Sequence, residues 1–593
     1  MKSRIYSVLF LVLALVLTFT SVFAADEPIK ITLLTRSSYA NDANVVRDLL
    51  VKQGFDVTLD IQPDYASFHA KEEAGNYDVA FTGWATISGN GDYATRGIFH
   101  STGVYNGGGI NDPELDALID KAATVTYEES LPIYAEVEKK LIDNAYIAPL
   151  FTGRKVWAFN KDIVDPATVD VYCARPFPFD TLDFVDKSKR DTDTFYMWQA
   201  ENYYTVADPA RSNENSTYLT NGNQYVRLLT FDANMQVGTN GSLSYNYVVA
   251  DGNQNFYFIL RDDINFAKVE DMHAVDTGIK VGAEDVIFSL NRAKDPDAVP
   301  GNQAYSNFES IDTVVTVTDL AELESTKDSA TGTSVLESLS AGLPAPISEL
   351  VESKEDVDNA AGKYQVVKIT TKTVFPQMAN FIAHHTGGIL CKEQVEAINT
   401  YEDPATYDPN KDMAYGDSSK LVEGPNYDNT IYASGPYIML YMNDYEIAME
   451  KNPGFMPGTD NEPKIKNVTI KMIPDPDSAL SALRSGEIYM FDNVSPEKDA
   501  IINGEPSLEL LVKPGVSFRY LNFNLKNPDR VVADVNVRRA ILNSMDQDAF
   551  IAFNNGNVFY ATSTLTSIMD TGYTYKPDPS LVPGFLEAYR ASK

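Results

Sequence analysis

Cysteine is nearly absent from this 593-residue chain: Cys173 and Cys391 are the only two. Two thiols exclude a disulfide-dense scaffold and a four-cysteine zinc site. Positive charge is also scarce. Lys and Arg number 48 against 83 Asp and Glu, so the formal net charge is −35. A surface that acidic repels phosphate backbones, which excludes general nucleic-acid binding. The five histidines are His69, His100, His273, His384 and His385. None is spaced as a two-ligand helix motif and there is no H-E-x-x-H, so no metal is expected. His384 and His385 are adjacent and diverge by about 100° on a helix, which suits a structural or surface role. His100 lies closest to the glycine-bearing loop at Gly89 and is the candidate should the ligand be a metal chelate. There is no G-x-S-x-G elbow and no lactamase-like signature. Paired carboxylates carry no weight for glycosidase chemistry in a chain with 83 of them. Beyond the first residues, no apolar run approaches the ~20 residues that span a bilayer.

What is present describes a globular chain. Hydrophobic residues make up 44% and charged residues 22%, and the length suits two to four domains. The 34 Tyr and 29 Phe suit either amphipathic contact surfaces or an ordinary core. Lys2 and Arg4 precede an apolar run from Val8 to Val16 and then Val22-Phe23-Ala24. This reads as a secretory signal peptide over residues 1–24. Its removal takes the formal charge from −35 to −37. No cysteine follows the cleavage point to carry a lipid. The expected location is therefore periplasmic or otherwise extracytoplasmic, with the mature chain in solution. Pairing of Cys173 with Cys391 stays open, because sequence does not fix their separation.

Ile29, Ile31 and Leu33 alternate with polar residues, as in a half-buried strand. Val45, Val46, Leu49 and Leu50 follow at helical spacing, and Gly54 ends that helix. Val57, Leu59 and Ile61 alternate again, and Asp78–Phe81 is a further strand. This βαβ pattern predicts a mostly parallel sheet. Two amphipathic helices follow, one through Leu115 and Ile119, the other through Tyr134, Val137 and Leu141. In open α/β sheets, ligands bind beyond the carboxyl ends of strands. Arg36 and Trp84 occupy such ends. The segment Gly89-Asn90-Gly91-Asp92-Tyr93 has no lysine and does not directly open a clear helix, so it is a poor phosphate loop. The polar run 186–194 reads as a linker. Further strands are expected at Thr194–Trp198, within Tyr245–Leu260, at Tyr437–Met442 and at Val468–Ile473. Helices are expected from Ala283 and over Ser478–Leu483. Residues 319–361 are acidic and helix-prone, and read as an insertion.

Several blocks resemble the large solute-binding proteins of ABC importers, the dipeptide, oligopeptide and nickel-binding group called family 5. They are Gln224–Asp232 (QYVRLLTFD), Asn255–Arg261 (NFYFILR), Val281–Arg292 (VGAEDVIFSLNR), Ser434–Tyr437 (SGPY), Ile473–Ile488 (IPDPDSALSALRSGEI), Tyr520–Asn524 (YLNFN) and Asp534–Asp546 (DVNVRRAILNSMD). The order is unusual. The segment similar to the family's last part, Ile29–Val185, comes first here. Each block occurs once, so the chain looks circularly permuted, with the family's own ends joined near 186–194. Exposed, neighbouring termini make such a rearrangement tolerable.

The resemblance implies an α/β, bilobed periplasmic-binding-protein fold of type II, cluster C-like, with a hinge between the lobes. Residues 25–156 would be the first part of lobe 2, 157–472 lobe 1, and 473–593 the second part of lobe 2. Ligand would favour the closed form, and the closed form would dock on the importer's membrane subunits. The expected ligand is a small peptide and the expected state a monomer, with no cofactor and no catalysis. The same fold binding a nickel complex, sugar or opine is the alternative; a secreted hydrolase or an adhesive surface protein stands further off. The family's amine-binding aspartate lies three residues after a Gly-Trp pair; here the pair is Gly83-Trp84 and that position is Ile87. Asp92 is the nearby carboxylate, either holding the ligand's cationic end or capping a turn. Trp84 would wall the pocket and Arg36 would hold a carboxylate bidentately. Trp198, Asn202 and Tyr203 would face the cleft from lobe 1. Ser434 and Gly435 would lie in a turn near it, Gly435 in a backbone role.

Overall fold

The structure is a computed structural model that describes residues 27–593 apart from 87, 104, 171–176, 251, 418–430, 493 and 562–568. The expected leader, Ile87 and Cys173 therefore lie outside the described residues. The chain forms two compact units. The first comprises residues up to Thr82, Leu521–Asp546 and Pro577–Lys593; the second comprises Gly83–Tyr520 and Gln547–Lys576.

The first unit is the βαβ arrangement the opening residues dictate. Strand Ile29–Arg36 pairs in parallel with Phe55–Gln62, with Leu33 opposite Leu59, and on its other side with the strand starting at Val79. Helix Ala40–Lys52 buries Ala43, Val46, Leu49 and Leu50, the residues whose 3.6-residue spacing announced it. It ends at Gln53, and Gly54 takes φ +89°, a conformation glycine adopts without steric cost. Leu34, Phe68, Tyr77 and Ala80 form a buried cluster. The late chain segment is stitched onto the early one. Asn524 donates its backbone N–H to Asp78 O at 3.0 Å, and its Nδ2 to Gly75 O at 2.9 Å and Tyr77 O at 2.8 Å. Helix Val535–Ser544 packs on both Val582–Ala591 and Ala40–Lys52. Residues more than 400 positions apart in sequence thus share one unit.

The second unit holds two four-stranded sheets. One is antiparallel throughout, in the order Ile311–Val317, Val366–Thr371, Asn255–Leu260, Ser244–Ala250. The aromatic alternation across 245–260 becomes the hairpin formed by its last two strands. The other runs Tyr437–Met442, Glu446–Lys451, Asn467–Met472, Thr194–Gln199; its last pair is parallel. Helix Ala283–Lys294 buries Val286 and Leu290 against the first sheet's core. The strand Ile147–Asn160 pairs antiparallel with Met490–Phe491 and with Phe559–Tyr560.

Segment 319–361 forms two short helices, Leu320–Ser325 and Val335–Leu339, and a short strand Glu349–Leu350. Its Leu323, Val335, Leu339 and Leu350 pack on Val248, Ala250, Tyr257 and Ile259 of the first sheet, so it has a core of its own.

The polar run 186–194 opens as an ordered turn. Asp186 caps it by accepting from Ser188 N, and Arg190 grips Asp183 through Nε at 2.9 Å and through Nη2. Lys187 Nζ is 2.9 Å from the same carboxylate. Burial pushes the Asp183 carboxyl up, but the bonds from Arg190 and Lys187 outweigh it and hold the group below its usual range. A folded-state value below the unfolded one stabilises the fold above about pH 4, and that stabilisation is lost as the pH falls through the folded value. The melting temperature of the protein is therefore expected to drop more steeply below about pH 4 than that of Asp183→Asn. Parallel acid profiles would contradict this role.

Candidate functional site

A cleft of about 390 Å³ lies within the second unit. That volume falls within the range of small-molecule sites. Six stretches distant in sequence line it, four of them forming most of its walls. The first is the start of helix Tyr127–Asp143. Thr126 caps this helix in a reciprocal arrangement with Glu129, which places Tyr127 and Glu128 on its first turn, at the cleft. The second is the hairpin of Thr230–Phe231 and Val237–Gly238, whose turn presents Met235 and Gln236. The third is strand Ser244–Ala250, through Tyr247 and Val249. The fourth is Pro376-Gln377 with helix Met378–Ile382. The 319–361 segment adds Asp328, Ser329 and Ala330.

Gly89 closes one end of the cleft. Its φ is +68°, and a Cβ there would come within 3.2 Å of Met235 Cβ, so the close approach of these two segments needs glycine. Gln377 fastens the walls together. Its Oε1 accepts the Asp92 backbone N–H at 3.3 Å and its Nε2 donates to Tyr134 Oη at 3.1 Å.

No lysine, arginine or histidine lines the cleft among the described residues. Its two carboxylates differ. Asp328 is spoken for: Oδ1 accepts Ala330 N at 2.8 Å and Oδ2 accepts Ser338 Oγ at 2.7 Å. Burial raises Asp328, but these bonds hold it below the ordinary carboxylate range. Glu128 is exposed at the cleft and makes no hydrogen bond or ion pair with a described residue. Its charge is felt nearby: burial and then Glu128 raise Tyr247, and burial raises Tyr127 against a hydrogen bond with Gln236 that lowers it, Glu128 adding to the rise. The cleft thus offers one anion unpaired among the described residues, in a lining that mixes aromatic and aliphatic side chains with Gln236, Gln377 and Asn380.

The eight residues expected from sequence stand elsewhere, and none lines this cleft. Trp84 packs at a tilt on Tyr93 and Tyr105, both with ring centroids 5.3 Å away, and its Nε1 is buried with no partner among the described residues. The structure gives Asp92 another cation in place of a ligand's. Its carboxylate accepts from Arg96 Nε at 3.0 and 3.1 Å; burial nonetheless raises it. The segment Gly89–Tyr93 does open a helix, Gly91–Ile98, contrary to expectation. Asn90 caps it by accepting from Tyr93 N at 2.9 Å. Gly91 lies so close to the Tyr134 ring that a Cβ would be 2.7 Å from Cε2, a tertiary constraint absent from local sequence. Arg36, in the first unit, lies 4.2 Å over the Tyr39 ring and hydrogen-bonds its hydroxyl. Trp198 is core: Nε1 donates to Ile473 O at 2.9 Å and the ring meets Phe491 edge-on. Asn202 and Tyr203 are exposed.

Ser434 is fully buried, accepting from Val226 N and donating to Ile389 O. Gly435 lies where another backbone passes: a Cβ would be 2.6 Å from Asn223 O. Gly435→Ala is expected to cost about 1–3 kcal/mol, because backbone does not yield as a side chain does. The midpoint of urea unfolding measures this; an unchanged midpoint would show that the turn relaxes freely.

Three groups bear on metals. His100 Nε2 is 3.8 Å from Asp116 and 3.6 Å from Asp120. His384 and His385 are both buried, with ring centroids 4.2 Å apart, and burial pulls His384 down to about 4. Asp285, Cys391 and Glu393 cluster, but Lys354 Nζ, 2.9 Å from Asp285 and 3.5 Å from Glu393, is already the cation there. Burial pushes the Cys391 thiol up to about 12, away from the thiolate a metal requires.

A family model of the bacterial extracellular solute-binding proteins, family 5 (middle region), matches residues 241–588, more than half of the chain. The chain belongs to this family. Family 5 comprises solute-binding proteins rather than enzymes, and the mixed α/β architecture accords with it. The dipeptide-binding protein of Escherichia coli K12 is 23% identical over 334 residues, covering 55% of this chain and 49% of the relative. A putative ABC transporter peptide-binding protein of Brucella ovis is 24% identical over 165 residues, covering 27% and 30%. The chain thus spans half or less of the length of these curated relatives. Among solved structures it is similar to Helicobacter pylori DppA in complex with the peptide STSA (16% identity, 54% of this chain and 51% of that one, TM-score 0.35). Staphylococcus aureus NikA with Ni(L-His)2 is a second such structure (13% identity, 54% and 46%, TM-score 0.31). Among the described residues, no helix of this family 5 chain is long and apolar enough to cross a membrane.

Proposed function

We propose that the protein is the extracytoplasmic substrate-binding receptor of an ABC importer, and that it holds short peptides in the 390 Å³ cleft. The observation that carries the ligand class is Glu128, an exposed carboxylate at the cleft that pairs with no described residue, in a lining without a described cation. A peptide's terminal ammonium matches it, and the aromatic and aliphatic lining suits peptide side chains. Family membership and the peptide-binding relatives support the same reading. Binding would proceed by population shift: the ligand touches both walls only when they are together, so it favours the closed form. Asp92 and Trp84 would act from behind the wall, Asp92 through its N–H on Gln377 and Trp84 by packing helix Gly91–Ile98. No bond is made or broken, so no catalytic residue or cofactor is assigned. Delivery to the importer's membrane subunits would follow closure, by a monomer released from its leader.

The order of the chain is part of this reading. We infer that the family's sequence is rotated, with its last segment placed first. The middle-region match at 241–588 and the joining of residues up to Thr82 with Leu521–Asp546 and Pro577–Lys593 support it.

Calorimetry on the mature chain tests the ligand class against a panel of di- to pentapeptides, Ni(L-His)2, an opine and simple sugars. A peptide is expected to saturate one site with Kd of about 1 µM or tighter and to raise the melting temperature. Saturation by the nickel complex or a sugar, with no response to any peptide, would overturn the proposal.

A further inference from the structure

A second cavity, of about 200 Å³, shares Gln236 and Val237 with the cleft but is otherwise built from different residues. Arg227 stands in it, only 8% exposed. A guanidinium presents five N–H donors on three nitrogens. Here Nη1 donates to Gly222 O at 2.8 Å and Tyr225 O at 3.2 Å. Nε is covered and, like Nη2, bonds no described residue. The edge without a hydrogen bond is therefore Nε–Nη2, a pair of parallel donors that a carboxylate takes in bidentate fashion once a small shift of the side chain uncovers Nε. Burial pulls Arg227 down to about 10, the sign of a cation that its surroundings do not neutralise.

Asp180 lines the same cavity. Among the described residues its carboxylate forms no ion pair; Arg227 and Lys464 attract it only from beyond bonding distance. Asp232 also lines the cavity, but its Oδ1 already accepts Asn234 N and Gln236 N, both at 2.8 Å. Arg227 and the half-buried Asp180 are then opposite charges that do not satisfy each other, and a charge withdrawn from water without a partner is costly, so the pair calls for something between them. The volume is below that of sites for drug-sized ligands, about 300 Å³ at the least, and suits a single residue rather than a peptide.

We propose that this cavity binds one small zwitterionic α-amino acid, its carboxylate on the Nε–Nη2 edge of Arg227 and its ammonium on Asp180. The site adjoins the peptide cleft through Gln236 and Val237, and the inference does not depend on that cleft's ligand. A receptor built this way responds to free amino acid as well as to its transported solute.

The test is calorimetric titration of the full mature protein with L-alanine, with sodium propionate for the carboxylate alone, ethylamine for the ammonium alone, and sulfate as a plain anion. L-Alanine is expected to saturate one site with Kd below about 1 mM, and propionate and ethylamine to bind at least about tenfold more weakly. Arg227→Lys, which keeps the charge and loses the fork, and Asp180→Asn should each weaken L-alanine at least about tenfold. Glu128→Gln should leave it unchanged. Where Arg227→Lys does not fold, Asp180→Asn and the plugging variant Thr181→Trp carry the same comparison. No saturation by L-alanine up to about 10 mM overturns the proposal. So does equal binding of propionate or sulfate, which marks an anion site only, and so does loss of L-alanine binding in Glu128→Gln, which places it in the main cleft.

Discussion

Replacing Arg292 by leucine is expected to destabilise the protein by about 3–5 kcal/mol, measured as the shift in chemical-denaturation midpoint. Arg292 leaves helix Ala283–Lys294 and meets Asp208 with both ends of its fork, Nη1 at 3.2 Å and Nη2 at 2.6 Å. The Asp208 side chain has no exposure and that of Arg292 only 10%. Attraction raises the Arg292 guanidinium in spite of the burial that opposes it. Removing the arginine leaves a carboxylate in the interior with, among the described residues, one side-chain bond, from Ala210 N at 3.0 Å, and the attraction of Arg211, whose own bond is to Asp417. That poorly compensated charge, not the pair's net worth, sets the size of the effect. Two controls separate the terms. Arg292→Leu combined with Asp208→Asn should recover a large part of the loss. Arg484→Leu, at a surface pair with 51% and 34% exposed side chains, should cost no more than about 1 kcal/mol. A loss at Arg292 as small as that at Arg484 would show that the buried pair is not closed to water.

Glu128→Gln is expected to lower affinity for a free-amine peptide by about 10- to 150-fold, the worth of one charge-assisted hydrogen bond of about 1.5–3 kcal/mol. N-acetylation of the peptide should do the same to the parent protein. Combining the two should cost no more than either alone, because both remove one interaction. Calorimetry of the four combinations gives the coupling directly. The fold should not suffer, since Glu128 is exposed and Thr126–Glu129, not Glu128, forms the helix cap. Additive losses would move the ammonium elsewhere in the cleft and leave Glu128 a bystander.

Much of the fold was legible because it is written in short-range periodicity. Ile29–Leu33 and Val57–Ile61 alternate and are strands; Val46, Leu49 and Leu50 share a helical stripe and are buried. Glycine at position 54 announced a stop and took φ +89°. The helix at Gly91–Ile98 was missed because its start is set by Asn90 as a cap and by the Tyr134 ring against Gly91, neither a matter of hydrophobic period. The site was harder to read for the same reason on a larger scale. Its walls come from residues near 89, 127, 236, 247, 329 and 377, and only packing brings these together. Glu128 carried one usable signal: the T-x-x-E cap from Thr126 to Glu129 places it on an exposed first turn. The sequence placed a carboxylate near Gly-Trp at Asp92 without showing its partner, which is Arg96, one helical turn on. Nor did it show that the Trp198 ring meets Phe491.

Native mass spectrometry of the protein released gently from its own cell envelope tests the central claim most directly. The account predicts an adduct that fragments as a peptide of a few residues and leaves on unfolding. It further predicts that Glu128→Gln carries less of that adduct. A nickel complex or a carbohydrate in its place, undiminished in Glu128→Gln, would contradict the account.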